Sequence, residues 1–278
     1  MPEGHTLHRL ARDQQQLFGG SVVHASSPQG RFAVGAGVLD GRVLERAEAY
    51  GKHLFHHYSA DSETGGTAEQ APILHVHLGL YGKFSTGHLS AERPEPPEPR
   101  GALRLRLRTD SAWTDLRGAT ACELYTPEQV DMLLARLGPD PLRPRPDGTR
   151  AYQRIGRSRS PIATLLMDQS VLAGVGNVYR AELLYRHRLD PFRAGRDVDP
   201  ELWAQMWGDL VVLMRAGVRS GRIVTVRTED RPKGRATRAT SHYVYRRTGL
   251  PCRICGTAIR TEVLATRNLF WCPNCQRE

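Results

Sequence analysis

The spacing of apolar residues changes twice along the chain. Over residues 4–18, Leu7, Leu10, Ala11, Leu17 and Phe18 recur on one helical face, so an amphipathic helix is predicted there. From residue 21 to 125 the spacing tightens, and short β segments are predicted at 21–26, 31–34, 42–58, 72–86, 101–109 and 112–125. Leu103, Leu105 and Leu107 alternate strictly with Arg104, Arg106 and Arg108, which predicts a half-buried strand with a basic outer face. Thr109-Asp110-Ser111 reads as the turn to the next strand. Two stretches interrupt this region, one small and acidic at 60–70 and one proline-rich at 91–100, and both are expected as exposed loops. Antiparallel strands without helical crossovers predict a sandwich.

A second change comes at GPDPLRPRPDG (138–148), whose prolines and glycines predict an interdomain linker. Helical spacing follows it. Ser160-Pro161 opens a helix with proline in the first turn, carried by Ile162, Leu165 and Leu166 and ended at Ala173-Gly174. A second helix is predicted from about Asn177. A longer one runs over 199–217, with Leu202, Met206, Leu210, Leu213 and Gly217 on one stripe. Gly174-x-Gly176 lacks the third glycine of a dinucleotide fingerprint and follows a helix rather than a strand, so that class is excluded. Two readings of the 173–179 turn stay open on spacing alone: a phosphate grip by outward backbone amides and the Asn177 side chain, or a plain capping turn.

Composition narrows the class. The 278 residues carry 40% hydrophobic and 24% charged positions. There is no run of about 18 apolar residues and no apolar stretch after the N-terminus, so neither a membrane helix nor a signal peptide is expected, and the place of action is expected to be the cytoplasm. The net charge is +10, from 39 Lys+Arg against 29 Asp+Glu. Twelve of the basic residues and only two of the acidic ones lie within 215–260, leaving equal numbers of each elsewhere. One segment therefore holds the whole surplus, which points to a polyanion such as nucleic acid.

Four of the five cysteines close the chain as Cys252-x-x-Cys255 and Cys272-x-x-Cys275. Two such knuckles suit a tetrahedral Zn²⁺ site, structural because all four positions are filled by thiolates. The spacer between them can form a short hairpin. Disulfides or a redox dithiol are the alternative, disfavoured because nothing suggests secretion. Cys122 reads as a buried apolar thiol in a strand. His53, His56, His57, His75 and His77 recur in the strand region and read as satisfied strand histidines rather than a second metal site.

Position 2 is proline, a small residue that permits removal of Met1. The product would be a secondary amine with a pKa of about 8, partly unprotonated at neutral pH and able to form an iminium with an aldehyde-level carbon. Glu3, next in the chain, could protonate a ring or leaving oxygen. Lys52 is one of only three lysines and could hold a phosphate.

These features occur together and in order. Met1-Pro2-Glu3-Gly4, Gly51-Lys52-His53-Leu54, His77 to Phe84 (HLGLYGKF), Gly174 to Tyr179 (GVGNVY) and the four-cysteine ending resemble the formamidopyrimidine-DNA glycosylase/endonuclease VIII family across essentially the whole chain. Pro-Glu-Gly and Leu80-Tyr81-Gly82 lie nearer the endonuclease VIII branch. The resemblance implies a multidomain α+β protein: a catalytic domain at 1–137 made of an N-terminal helix and a two-layered antiparallel β-sandwich, a linker at 138–150, a helix–two-turn–helix domain at 151–245 and a zinc finger at 246–278, with damaged DNA between the domains. It implies a bifunctional glycosylase and abasic-site lyase acting by β,δ-elimination, with oxidised pyrimidines as the expected bases, working as a monomer.

By position, the resemblance makes Pro2 the Schiff-base nucleophile, Glu3 the general acid and Lys52 a catalytic, phosphate-contacting lysine. Leu80 and Tyr81 would be the wedge entering the stack, and Arg117 would fill the void opposite. Asn177 and Arg267 would grip phosphates, and Glu182 would lie near the sugar. Residues 5–6 are His-Thr where better-known members carry Pro-Glu, so Thr6 replaces a carboxylate of the active-site network. The basic loop 227–241, which in the family can cover the extruded base, shows no base-reading pattern. A zinc-bearing DNA-binding protein without catalysis is the competing class, and it has no need of a free amine at Pro2. RNA binding is disfavoured by the lack of an aromatic stacking motif.

Overall fold

A computed structural model describes residues 2–63, 70–230, 234, 236, 237 and 239–277. The chain divides into two compact units, Met1–Pro2 with Thr6–Ala135, and Glu3–His5 with Arg136–Glu278.

The first unit holds most of α1 (Gly4–Phe18), then β1 (Val22–Ser26), α2 (Ala33–Leu39), β2 (Arg42–Tyr50), β3 (His53–Ser62), β4 (Ile73–His77), β5 (Lys83–His88), β6 (Leu103–Arg108), β7 (Ala112–Arg117), β8 (Ala121–Tyr125) and α3 (Pro127–Ala135). The strands form one antiparallel ladder in the order β5-β7-β6-β1-β2-β3-β4-β8. Strand β1 serves both halves. Val22 and Val23 pair with β2, while His24, Ala25 and Ser26 pair with β6. The sheet thereby folds on itself. Leu44, Leu54, Tyr58, Leu74 and Val76 from one half share a buried cluster with Leu105, Leu107 and Leu116 from the other, closed by Leu7, Ala11 and Phe18 of α1. This is the expected sandwich with its N-terminal helix.

Three local expectations need correction. The segment at 31–34 is not a strand: Phe32, Gly35, Ala36 and Leu39 are buried at helical spacing and lead into α2. The runs 42–58 and 72–86 are each broken, the first by the Gly51-Lys52 turn and the second by a tip at 78–82. The acidic loop at 60–70 falls for the most part outside the described residues.

The second unit contains α4 (Thr149–Ile155), α5 (Ile162–Leu165), α6 (Asn177–Arg186), α7 (Pro200–Ser220) and the hairpin β9 (Arg260–Leu264) and β10 (Arg267–Trp271). Helix α7 is capped by Asp199, whose carboxylate accepts from the Glu201 and Leu202 amides, and ends on Gly221 in the left-handed conformation. The helix opened by Pro161 is one turn rather than three. After it the chain doubles back through two turns held by Gln169, which accepts from the Gly174 amide and donates to Val175 O. Residues 138–140 are not a free spacer: Gly138 N donates to Gln169 O and Pro139 O accepts from Ala173 N. The core of this unit gathers Leu166, Leu172, Tyr179, Leu183, Met206, Leu210 and Met214.

Candidate functional site

Strand register brings four of the expected residues to one end of the first unit. His53 opens β3 and pairs with His77 at the end of β4, which pairs with Ala121 at the start of β8. The Lys52 turn and the 78–82 tip therefore share that end of the sheet. Lys83 pairs with Arg117, so the close of β7 joins them. At the tip, Leu80 is 39% and Tyr81 84% exposed. Two large hydrophobic side chains are thus held out to water at this tip. Their backbone has little freedom: a Cβ on Gly79, at φ +65°, would meet Thr120 Oγ1 at 1.9 Å, and one on Gly82 would meet Leu78 O at 2.3 Å.

Arg117 is already engaged. It donates to Asp115 Oδ2 at 2.9 Å and to Arg100 O at 3.0 Å, and Asp115 also takes the Arg106 fork. Lys52 stands close enough to His77 to help lower that histidine's pKa, after burial, the larger cause. Most of the strand histidines find partners, but His75 Nδ1 is buried without a hydrogen-bond partner among the described residues, so the expectation of satisfied histidines holds only in part. His56 donates to Gln14 Oε1 at 2.7 Å, and His53 Nδ1 lies 2.9 Å from His75 Nε2.

In the second unit the organising group is Glu3. Its carboxylate is fully buried at the N-terminus of α6, accepting from Gly176 N at 3.0 Å, Val178 N at 2.8 Å and Tyr179 N at 3.4 Å. Helix amides and the helix dipole both favour an anion there. Glycine is required beside it: a Cβ on Gly176 would lie 2.5 Å from Glu3 Cδ, and one on Gly4 would lie 2.8 Å from Gly174 Cα. The amides of the 173–179 turn face the Glu3 carboxylate rather than solvent, so the turn caps α6 with Glu3 as the cap.

Asn177 lies inward at the start of α6. It is only 5% exposed, and its Nδ2 donates to Asn268 O of β10 at 2.9 Å. Arg180 donates through Nη2 to Asn177 Oδ1 and, at 3.1 Å, to Asn268 O. Arg267 follows a two-residue turn, Ala265-Thr266, whose positive φ angles suit a tight hairpin. It lies near enough to Arg180 to lower that group's pKa. Burial is the larger cause, Glu3 opposes it, and the guanidinium is pushed down to about 10. Arg180 escaped the sequence reading. Its one signal is a charge at i+3 from Asn177 inside a run of buried apolar residues.

Glu182 is corrected outright. It is fully buried, and its oxygens accept from the amides of Tyr243, Val244 and Tyr245 and from the Thr225 hydroxyl. No face is left for a sugar. The carboxylate fastens both ends of the basic loop, which Thr225 N also closes by donating to Ser241 O at 2.9 Å. Residues 231–233, 235 and 238 of that loop lie outside the described residues.

The four terminal cysteines converge. Their sulfurs all lie within 4.8 Å of one another, with Cys252–Cys275 at 3.8 Å and Cys255–Cys272 at 3.5 Å. A tetrahedral Zn²⁺ with Zn–S bonds of about 2.3 Å needs sulfurs roughly 3.8 Å apart, so the residues fit a structural zinc. Among the described residues no other set of three His, Cys, Asp or Glu converges in this way. The Tyr185 hydroxyl on α6 lies 3.0 Å from Cys252 Sγ, and Gln276 ties the finger to Leu189 O.

Three family models match: the formamidopyrimidine-DNA glycosylase N-terminal domain over residues 1–122, its H2TH domain over 137–228, and the zinc finger found in FPG and IleRS over 249–277. Endonuclease 8 1 of Mycobacterium tuberculosis is 52% identical over 289 aligned residues, covering 99% of this chain and 100% of that protein. The chain belongs to the formamidopyrimidine-DNA glycosylase/endonuclease VIII family. A formamidopyrimidine-DNA glycosylase of Thermus thermophilus is 32% identical, covering 100% of this chain and 99% of that one. Among solved structures of the family, Lactococcus lactis Fpg with abasic-site DNA superposes with a TM-score of 0.77 at 19% identity, covering 99% of this chain and 100% of that one. MutM in complex with carbocyclic 8-oxo-G containing DNA also gives 0.77, at 20% identity and full coverage of both chains. At these identities the likeness is one of fold.

Proposed function

We propose that this chain is a base-excision-repair DNA glycosylase and abasic-site lyase, with oxidised pyrimidines as its main bases. The observation that carries the reading is Glu3. It is a buried carboxylate fixed by three helix amides, and it directly follows the residue whose nitrogen must do the chemistry.

The target carbon, C1′, lies inside a stacked duplex, so the nucleotide must be extruded at a cost of a few kcal/mol. Leu80 and Tyr81 take the vacated space, and Arg117 turns toward it from its Asp115 partner. Lys52, Asn177 and Arg267 hold the flanking phosphates. With Met1 removed, the Pro2 nitrogen donates its lone pair to C1′ while Glu3 gives its proton to the ring oxygen; the C1′–O4′ bond opens to a 4′-hydroxyl, the Pro2 N–H proton passes to the departing base, and nitrogen and C1′ are left joined as an iminium. The base departs with the glycosidic electron pair. The three α6 amides then hold the carboxylate that Glu3 has become. The iminium at C1′ acidifies the C2′ hydrogens, the 3′ phosphate leaves by β-elimination and the 5′ phosphate follows by δ-elimination. Water finally releases the sugar fragment from Pro2. Zinc supplies no chemistry. It holds the hairpin that carries Arg267.

A single copy acting in the cytoplasm on the nucleoid accords with this reading. No helix among the described residues is long and apolar enough to cross a membrane. The test is borohydride trapping on duplex DNA with one abasic site. The mature chain should begin at Pro2 by mass spectrometry and form a covalent adduct that Pro2→Gly loses. Tight DNA binding with no adduct from a Pro2-initiated chain would sink the enzymatic reading.

A further inference from the structure

Arg180 is among the largest fully buried side chains, yet its hydrogen bonding is unfinished. Nη2 serves Asn177 Oδ1 and Asn268 O, whereas Nε and Nη1 on either side of it have no hydrogen-bond partner among the described residues. A buried guanidinium with two idle donors is a poor way to stabilise a fold, since each unmet N–H carries a desolvation cost. An apolar side chain of similar volume would serve packing better. What the guanidinium does achieve is geometric. By donating to Asn177 Oδ1 it fixes which way the amide faces. By donating to Asn268 O it locks the residue beside Arg267 to the first turn of α6.

We propose that Arg180 is a positioning residue for DNA binding, fastening the zinc-held hairpin to α6 so that Arg267, beside the fastened Asn268, presents its guanidinium to the DNA backbone. This rests on the reading of Arg267 as a phosphate contact. Arg180 itself, being fully buried, makes no DNA contact. It acts through Arg267, and its positive charge beside that arginine is tolerated because Glu3 lies close by on the same unit.

The test compares wild type, Arg180→Met, Arg180→Lys, Arg267→Ala and the double variant Arg180→Met/Arg267→Ala. The probe is a duplex carrying a tetrahydrofuran abasic analogue, followed by fluorescence anisotropy across a salt series. Zinc content and melting temperature are measured alongside. Arg180→Met should keep its zinc and melt at or above the wild-type temperature, yet bind about tenfold more weakly. Its log–log salt slope should fall by about one, as expected for one lost cationic phosphate contact. Arg180→Lys keeps a charge without the fork and should recover only part of the affinity. The double variant should bind no worse than Arg267→Ala alone. Unchanged affinity and slope in Arg180→Met, or fully additive losses in the double variant, would overturn the proposal. So would a drop in zinc content or melting temperature large enough to account for the weaker binding. If wild type itself fails to prefer the abasic duplex over an undamaged one, the functional reading fails instead, and that outcome is read from a separate arm.

Discussion

The carboxylate that the proposed reaction asks to give up a proton has an environment ready for its anion: Glu3 meets three amides at 2.8 to 3.4 Å. The same contacts make the residue hard to replace. Glu3→Gln keeps the size but has no proton of suitable acidity, and one of its polar ends presents N–H groups to donors that need an acceptor. Removal of an oxidised base should fall by about 10²- to 10⁴-fold, the usual worth of a general acid. Cleavage of a ready-made abasic site, whose base is already gone, should suffer less. Single-turnover assays on the two substrates separate these outcomes, and an equal loss on both would deny Glu3 its acid role. At this scale the sequence was legible where chemistry demands a residue type at fixed spacing: the four paired cysteines converge as their spacing predicts. It was illegible where burial decides. Arg180 escapes notice and Glu182 is expected near the sugar, because nothing in a single chain tells which polar side chains will be sealed in by a loop or hairpin far away in sequence.

Among the elements, long amphipathic stretches were readable and short ones were not. Helices α1 and α7 follow the 3.6-residue repeat over 15 and 21 residues. Helix α2 has seven residues, two of them glycine, and offers too few turns for a period to emerge. The strand runs at 42–58 and 72–86 conceal their turns because Gly51-Lys52 and Gly79 to Gly82 sit inside continuous strand-like composition. Those turns hold most of the first unit's candidate residues. Strands β3 and β4 carry a pH consequence. Burial pushes His56 down to about 3 and His75 to about 4, so both stay neutral in the folded sheet while the unfolded chain takes up protons below about 6.5. The unfolded state then binds more protons, and stability falls as the pH drops, by about 1.4 kcal/mol per pH unit for each histidine. Thermal melts of the first unit should shift downward from pH 6.5 toward 4. His56→Gln should flatten that slope, and a pH-independent melting temperature over this range would contradict the assignment.

For the molecule as a whole, zinc decides whether the second unit keeps its hairpin. Structural zinc sites contribute on the order of 10 kcal/mol to small modules. Here the module is stitched to α6 through Tyr185 and to the following turn through Gln276. One zinc per chain is expected by elemental analysis. Its removal by a chelator should weaken abasic-DNA binding at least tenfold while leaving the sandwich's far-ultraviolet signature and melting transition in place. A chelated protein that binds DNA unchanged would mean the hairpin stands without metal. Fold class and family were legible at this scale because the motifs recur in order along the entire chain. The division of labour was not, since the cut between units runs through α1 and hands Glu3–His5 to the C-terminal body.

Glu182 has a consequence for how such a protein can diverge. One carboxylate receives Thr225 at one stem and Tyr243 to Tyr245 at the other, so the segment between is moored like a handle on two rivets. Between the rivets, Ala236 O accepts from Arg222 and Ala239 O accepts from Arg253 of the zinc finger, so a change at either carbonyl is felt beyond the handle itself.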